Sequence, residues 1–336
     1  MKRLIPFLLF CLLVSCGRHS RPPVAAGMEY ARWFSLTDDA VVIHSPYGEQ
    51  DDTLRVDAPL RSIVCMSSSY IGFLDALGCD SVVTAVSGLG YVSDPEVREK
   101  AVDVGYDAAL DYETILKLNP DLLLTYAVSS AEPPYMAKLR DLGIRTAVIH
   151  EHLESHPLGR AEYIKLFGAL TGCRERADSV FAQVCDHYLS LLLVTHYPVK
   201  VLVNIPYADQ WYIPGEDNYM TRLIHDAGGA VLGSVPEQFE SSVISVEKAY
   251  EYAQEADFWL NPGWCSTKAQ LRSVHPLFSE FPVLEKSVWN NTKQTTPGGG
   301  NAFWETGPAR PDLILEDLRA ILNGTEVPGN YYFILE

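Results

Sequence analysis

The chain contains 336 residues, and 47% of them are hydrophobic. A chain of this size and composition can form one large domain or two smaller domains, each with a buried core. The formal net charge is −17, and lysine and arginine are scattered along the chain. Because nucleic-acid binding requires a basic face, the composition argues against a nucleic-acid partner.

The first residues predict an export signal. Two cations precede an apolar run from Leu4 to Val14, which is too short to span a bilayer. The run ends in the letters LVSC, which resemble the lipobox of bacterial lipoproteins. We therefore expect a lipoprotein signal peptide at residues 1–15, lipidation of Cys16, and a flexible tether at residues 16–27. The alternative is an ordinary signal peptide that is cut elsewhere.

Five further cysteines have no CxxC spacing, so the sequence indicates neither a zinc knuckle nor a redox motif. We expect them to be small buried hydrophobic residues, with one disulfide as an alternative in an oxidising compartment. These residues are Cys65, Cys79, Cys173, Cys185 and Cys265.

The hydrophobic pattern changes from strands alone to strands that alternate with helices. Residues 28–57 predict an N-terminal β-hairpin extension around Asp38 and Asp39. From RSIVCM to RTAVIH, short apolar strands alternate with amphipathic helices, which predicts a first α/β lobe at residues 58–157 with a parallel sheet.

A helical segment is predicted at residues 158–197. Within it, apolar residues at 3.6-residue spacing indicate a long helix at about 174–194. The strand–helix alternation resumes at VKVLVNI, which predicts a second α/β lobe at residues 198–322 and a tail at residues 323–336.

The second lobe weakly repeats the first. VLVN and the later YMTRLIHDAGG correspond to IVCM and YIGFLDALG, and SVEKAYEYAQEADFWLNPG corresponds to DYETILKLNPDLLLTYA. This internal repeat predicts an α/β fold of two Rossmann-like lobes with parallel sheets, joined by the long helix, with a ligand cleft between the lobes. A single stiff helix as the connection predicts small relative motion of the lobes.

With these features in place, residues 58–322 resemble the substrate-binding component of a bacterial ABC importer. The resemblance is to the helix-linked (class III) periplasmic proteins that bind cobalamin, ferric siderophores or haem. It rests on RSIVCMSSSYIGFLDALG, DVGYDAALDYETILKLNPDLLLTY, WYIPGEDNYMTRLIHDAGG and GGGNAFWETGPARPDLILEDL. The last two segments and the lipobox are similar to the Bacteroidetes-type lipoprotein branch.

The resemblance implies an ABC permease and its ATPase as protein partners of a monomer. It also implies a lipid anchor that holds the protein to the membrane on the periplasmic side. Members of this family often carry an acidic residue in the first helix, which docks on arginines of the permease. This chain has Gly72 at that position, so its docking residues stay unassigned.

In open α/β sheets, ligands bind outside the carboxyl ends of the strands. The loops predicted there are rich in aromatic and small polar residues, which suit the flat apolar faces and polar edges of a metal chelate. An aromatic residue can instead pack on its own lobe, and Ser68 and Ser69 also fit a helix N-cap. The candidate ligand-binding residues are Ser68, Ser69, Tyr70, Tyr91, Tyr106, Tyr126, Glu151, Asn204, Trp211, Tyr212, Trp264, Asn301, Phe303 and Trp304, and Tyr207 belongs to the same group of loops.

The expected function is capture of an iron chelate, either a ferric siderophore or haem, for delivery to the permease. Cobalamin or another corrinoid is the alternative ligand. An enzyme and a Zn²⁺ or Mn²⁺ binding protein on the same scaffold are weaker hypotheses. GxSxG, HExxH and a complete GxGxxG are absent from the sequence, so we predict no catalytic residue and no cofactor apart from the chelate.

The stretch VIHEHLESHPLGR contains His150, His152 and His156. Nothing in the pattern brings the three imidazoles to one metal ion, and we expect no metal site here. Related sequences are expected to share the glutamates and Arg160 rather than the histidines. We predict a loop at the edge of the cleft, with Glu151 as a ligand contact.

Overall fold

The computed structural model describes residues 22–106, 109–129, 132–196, 198–208 and 210–336. The predicted signal peptide at residues 1–15 and Cys16 lie outside this part of the chain, as does the first part of the tether. Among the described residues, no helix has both the length and the apolar composition needed to cross a bilayer.

The N-terminal extension is an antiparallel sheet of three strands rather than the predicted hairpin of two. The strands are β1 (Phe34–Leu36), β2 (Ala40–Ile43) and β3 (Asp52–Arg55). Phe34, Val41 and Leu54 are buried and join the core of the first lobe. The extension is therefore part of that lobe's packing.

The first lobe has a parallel sheet of β4 (Ile63–Cys65), β5 (Val83–Val86), β6 (Val102–Asp103), β7 (Leu122–Thr125) and β8 (Thr146–Val148). The strand order is β6-β5-β4-β7-β8, and all neighbours are parallel. The connecting helices are α1 (Ser68–Ala76), α2 (Pro95–Lys100), α3 (Tyr112–Leu118) and α4 (Pro134–Asp141). Three helices follow the sheet, namely α5 (Pro157–Ala161), α6 (Tyr163–Thr171) and α7 (Arg174–Ser190).

The second lobe contains β9 (Val199–Val203), β10 (Trp211–Ile213), β11 (Gly229–Val231), β12 (Ser242–Ile244), β13 (Phe258–Leu260), β14 (Ser287–Asn290) and β15 (Phe333–Ile334). Its helices are α8 (Tyr219–Asp226), α9 (Val246–Glu255), α10 (Lys268–Val274), α11 (Ala302–Glu305) and α12 (Pro311–Asn323). The main sheet has the order β11-β9-β13-β14-β15, while β10 and β12 form a separate pair. Because β15 pairs antiparallel with β14, the predicted tail at 323–336 is part of this sheet.

The two lobes share one arrangement, and the predicted fold class is confirmed. In each main sheet the first strand lies in the interior with parallel neighbours on both sides: β4 lies between β5 and β7, and β9 lies between β11 and β13. One side-chain contact also recurs in both lobes. Asp121 accepts hydrogen bonds from the backbone N–H groups of Arg61 and Ser62 before β4, and Asp257 accepts one from Lys200 in β9.

Helix α7 packs against α6 of the first lobe and α12 of the second, so it joins the lobes. It ends at Ser190, earlier than the predicted residue 194. The backbone N–H of Leu193 donates to the carbonyl of Asp226 at the end of α8 instead of continuing the helix. The tertiary contact with the second lobe therefore ends the helix.

Two buried carboxylates hold the chain that enters the first strand. Glu162 accepts backbone hydrogen bonds from Glu29, Tyr30 and Ala31 at 2.8–3.2 Å, and it is fully buried. Glu154 accepts two more, from the N–H groups of residues 32 and 33. Burial raises the pKa of Glu154 to about 7, although these hydrogen bonds oppose that shift.

Replacement Glu162→Ala is expected to lower the free energy of unfolding by about 3 kcal/mol, because three backbone N–H groups lose their acceptor. Urea unfolding measures this change. The matched control is Glu99→Ala, at an exposed position of α2, which is expected to change stability by about 0.5 kcal/mol or less. Equal unfolding midpoints for the two variants would contradict the prediction.

Candidate functional site

A cleft lies between the lobes at the carboxyl ends of both parallel sheets. On the first lobe, a cavity of about 420 Å³ is lined by the loops after β4, β5, β6 and β7 and by Glu151 and His152. On the second lobe, a cavity of about 940 Å³ is lined by the loops after β9, β13 and β14. Trp304 lines both cavities, so they are adjoining parts of one cleft.

Aromatic side chains of both lobes face this cleft with accessible rings. Each exposes between 43% and 79% of its surface, which is unusual for large apolar side chains unless they meet a partner. The first-lobe rings come from loops after three different strands. The exposed aromatic residues that line the cleft are Tyr91, Tyr106, Tyr126, Tyr207, Trp264 and Trp304.

One carboxylate positions two of these rings. Asp103, at the end of β6, accepts backbone hydrogen bonds from Gly88, Leu89 and Gly105 at 2.8–3.0 Å. Burial alone would raise the pKa of Asp103, but the three N–H donors outweigh it and lower the pKa. The loops that carry Tyr91 and Tyr106 are thus held to one strand end, and their ring centroids lie 6.1 Å apart.

Among the predicted polar anchors, Ser68, Asn204 and Asn301 line the cleft. The side-chain amide of Asn204 donates to the carbonyl of Tyr212 at 2.9 Å. The side-chain oxygen of Asn301 accepts from the backbone of Phe303 and caps α11. Both asparagines therefore also organise their own loops.

Three predicted ligand-binding residues lie in the core instead, so these predictions are wrong. Tyr70 is fully buried on α1, where its hydroxyl donates to the carbonyl of Thr125. Trp211 is fully buried and donates its ring N–H to Val203. Phe303 is 1% exposed and packs against Tyr331 and Tyr332. Tyr70 and Phe303 follow or precede the cleft residues Ser69 and Trp304 in the sequence, but their own side chains pack into the core.

Tyr212 needs a different correction. It is 37% exposed and lies between two buried residues of β10, but it does not line either cavity. Its hydroxyl donates to the side chain of Gln210. The alternation of β10 turns this ring away from the cleft.

Ser69 and Glu151 belong to a buried network at the edge of the cleft. The hydroxyl of Ser69 donates to Glu151 at 2.9 Å, and the guanidinium of Arg160 donates to the same carboxylate at 2.6 and 2.8 Å. Arg160 also lies 4.3 Å from the ring centroid of Tyr219 on α8. Glu151 lines the cleft, but both of its carboxylate oxygens already accept hydrogen bonds from Ser69 or Arg160. Its contacts therefore link α1, α5 and the second lobe.

The three histidines of the predicted loop have separate surroundings. The ring of His150 contacts Tyr47 of the N-terminal extension, whereas His152 lines the cleft and bonds the carbonyl of Ala127. His156 caps α5 through its Nδ1. Within the described part of the chain, no three His, Cys, Asp or Glu side chains are grouped to hold a metal ion.

A segment of the second lobe reaches across the cleft to the first. Thr296 donates to the carbonyl of Gly90, and Glu305 accepts from the backbone N–H groups of Ser93 and Asp94 at 2.6 and 2.9 Å. A Cβ atom at Gly300 would overlap the backbone of Tyr91. The glycine run is therefore needed for this close approach of two backbones.

The contact between the lobes also explains why residue 72 is a glycine. This residue is buried in α1, and a Cβ atom there would overlap the carbonyl oxygen of Glu305 on α11. Any side chain at position 72 would separate the lobes. An acidic docking residue therefore does not fit at this position of the chain.

The cleft is nearly free of charge, although the chain as a whole carries −17. The second cavity is lined by no Asp, Glu, Lys or Arg among the described residues. Among the described residues of the first cavity, the ionisable groups besides tyrosines and a cysteine are the Glu151–Arg160 ion pair and His152, and burial lowers the pKa of His152. The walls present neutral amides and hydroxyls between aromatic rings.

Most of these neutral polar residues were not among the predicted site residues. They include amides and hydroxyls in the stretch NNTKQTT, which follows β14 directly, and at the start of α8. Their position after a strand could have indicated them as cleft residues, but the prediction relied on aromatic residues, which this stretch lacks. The additional cleft residues are His152, Asn218, Tyr219, Asn261, Asn291, Thr292, Thr295 and Thr296.

Two α/β lobes with largely parallel sheets, a connecting helix and a cleft between the lobes define a two-lobed binding protein of the helix-linked (class III) type. The family model described as "Periplasmic binding protein" matches residues 63–282. The chain therefore belongs to the periplasmic binding protein family.

Similar proteins agree in fold. An uncharacterised lipoprotein of Methanocaldococcus jannaschii is 26% identical over 83% of this chain and 69% of its own length. A periplasmic haem-binding protein from Pseudomonas aeruginosa has a TM-score of 0.60 at 16% identity, over 82% of this chain and 98% of that one. The periplasmic vitamin B12 binding protein of Vibrio cholerae has a TM-score of 0.55 at 16% identity, over 79% and 97%.

Replacement Glu151→Ala is expected to lower the free energy of unfolding by about 3–5 kcal/mol, because it leaves the buried Arg160 without its carboxylate. Chemical denaturation measures this loss. The control is Glu113→Ala, which breaks an exposed pair with Lys117 and is expected to cost less than about 1 kcal/mol. Similar losses in the two variants would contradict the structural role of Glu151.

The contact of Glu305 predicts a pH dependence of stability. Burial raises the pKa of Glu305 to about 7, above its usual 4.5, so the folded protein holds this proton more tightly than the unfolded chain. The stabilisation is complete below pH 4.5 and is lost as the pH rises towards 7.

The stability of the unmodified protein relative to Glu305→Gln should therefore fall by about 1–3 kcal/mol between pH 4.5 and 7. Thermal or urea unfolding of both proteins across this range measures the difference. Because the other titrating groups are common to both proteins, their contributions cancel. If the stability of the two proteins changed equally across this pH range, the raised pKa of Glu305 would be contradicted.

Proposed function

We propose that this protein is the substrate-binding component of an ABC importer and that it captures a metal chelate in the cleft between its lobes. The observation that carries the proposal is that exposed aromatic rings of both lobes line the same cleft. Large flat rings suit the apolar faces of a porphyrin, a corrin or an aromatic siderophore. Binding and release need no catalytic residue, and we assign none.

The neutral walls favour a chelate whose outer surface is uncharged. A haem carries two carboxylates, which would call for cations, and Arg160, the one arginine among the described residues that line the cleft, is already paired with Glu151. The amides and hydroxyls of the second cavity suit the amide-bearing edge of a corrinoid or a neutral ferric hydroxamate. We therefore place a neutral ferric siderophore and a corrinoid ahead of haem, which the sequence alone placed alongside the siderophores.

The remaining parts of the proposal concern partners and location. We propose a monomer anchored through lipid on Cys16, facing the periplasm, that delivers the chelate to a permease and its ATPase. The family of the chain and its similarity to an archaeal lipoprotein support this assignment.

Tryptophan fluorescence tests the ligand directly, since Trp264 and Trp304 line the cleft. The purified protein is titrated with cyanocobalamin, a neutral ferric hydroxamate, an anionic ferric catecholate and haemin. We expect saturable quenching at micromolar concentration or below by one of the two neutral chelates. Tighter binding of haemin or the catecholate would overturn the preference for a neutral ligand, and no response to any would overturn the chelate proposal.

Replacement Tyr126→Ala is expected to weaken binding of the chelate by about tenfold, because one stacking face worth about 1 kcal/mol or more is lost. The matched control is Tyr212→Ala, which removes an equally exposed tyrosine outside the cleft and should leave the Kd unchanged. Equal changes of the Kd in the two variants would show that the ligand does not contact Tyr126.

A further inference from the structure

Two cysteines occupy matching positions after two different helices. Cys79 follows Gly78 at the end of α1, and Cys173 follows Gly172 at the end of α6. Both glycines have left-handed backbone conformations. The backbone N–H of Cys79 donates to the carbonyl of Leu74, five residues earlier, and that of Cys173 donates in the same way to Gly168. These are the hydrogen bonds of the glycine-ended helix, and they hold both cysteine backbones in place.

The thiols of these residues face each other. The Sγ atoms of Cys79 and Cys173 lie 3.3 Å apart, and both side chains are half-buried, within reach of solvent. A disulfide bond is about 2.0 Å long, so bond formation needs an approach of about 1.3 Å. The other described cysteines, Cys65, Cys185 and Cys265, are buried.

We propose that Cys79 and Cys173 form a disulfide that ties α1 to the start of the helix joining the lobes. The oxidant is a disulfide, R–S–S–R, in the compartment that receives the exported protein. It belongs to a dithiol–disulfide oxidoreductase or is oxidised glutathione. One cysteine thiolate attacks R–S–S–R and releases one thiolate RS⁻. The second cysteine thiolate then displaces the other RS⁻ and closes the bond. The two cysteines lose two protons and two electrons, and two molecules of RSH form.

The position of this bond gives it a structural role. The two residues are 94 positions apart in the chain, so the bond encloses most of the first lobe in one loop and restricts the unfolded chain. Cys173 is the residue immediately before α7. The bond would therefore fix the beginning of α7 to the first lobe, so that the helix moves with that lobe.

Peptide mapping tests the inference on the full chain recovered from the envelope of the exporting cell. The denatured protein is alkylated without reductant, digested and analysed by mass spectrometry. We expect one linked pair of peptides that contains Cys79 and Cys173, together with alkylated Cys65, Cys185 and Cys265. After reduction, all five should be alkylated. Alkylation of both Cys79 and Cys173 in native protein equilibrated with oxidised glutathione would overturn the proposal.

Thermal unfolding provides a second readout. A phosphine reductant should lower the Tm of the unmodified protein by about 5 °C or more, because a long loop is released. The same reductant should leave the Tm of the Cys79→Ser/Cys173→Ser double variant unchanged. The Cys185→Ala control should keep the full shift. A shift of equal size in the double variant would assign the effect to another group and contradict the proposal.

The bond is independent of the proposed ligand. Chelate binding is measured by fluorescence, whereas the disulfide is measured by peptide masses and by the response to reductant. Failure of one result therefore leaves the other unaffected.

Discussion

Three buried carboxylates lie in the short stretch between the first sheet and the helix that joins the lobes, and the rest of the structure depends on how they are satisfied. Glu151 holds the guanidinium of Arg160 and the hydroxyl of Ser69. Glu154 and Glu162 accept hydrogen bonds from the five consecutive backbone N–H groups of residues 29–33, which form the N-terminal arm. A buried charge without a partner costs several kcal/mol, so these contacts fix where the arm, the first helix and α5 must lie.

The shape of the cleft follows from a second constraint, the close approach of two backbones across the lobes. Gly72 and Gly300 leave room for the backbones of Glu305 and Tyr91. This contact brings Trp304 to the place where the cavities of the two lobes meet. The same packing that completes the cleft leaves no room for a side chain at position 72.

An uncharged cleft in a strongly acidic molecule is the property that most narrows the proposed ligand. Among the described residues that line the cleft, Glu151 is the acidic one and is paired with Arg160, while the other walls present aromatic faces and neutral amides. A ligand with free carboxylates would meet no unpaired cation among the residues that line the cleft. A chelate that hides its metal charge inside an organic shell would meet complementary groups on both lobes.

The sequence by itself determined the two-lobed α/β fold and the strand-end loops that form the cleft, because strands and helices are encoded in local hydrophobic spacing. It assigned Tyr91, Tyr106 and Tyr126 to strand-end loops, and in the structure the three residues line the cavity of the first lobe. Only the tertiary structure decided which side each neighbouring residue faces. Tyr70 and Trp211 are also aromatic and belong to segments that the sequence assigned to strand-end loops, yet they are fully buried in the core. Contacts between distant parts of the chain, such as that between Cys79 and Cys173, 94 positions apart, leave no local pattern in the sequence, because only tertiary packing brings such residues together.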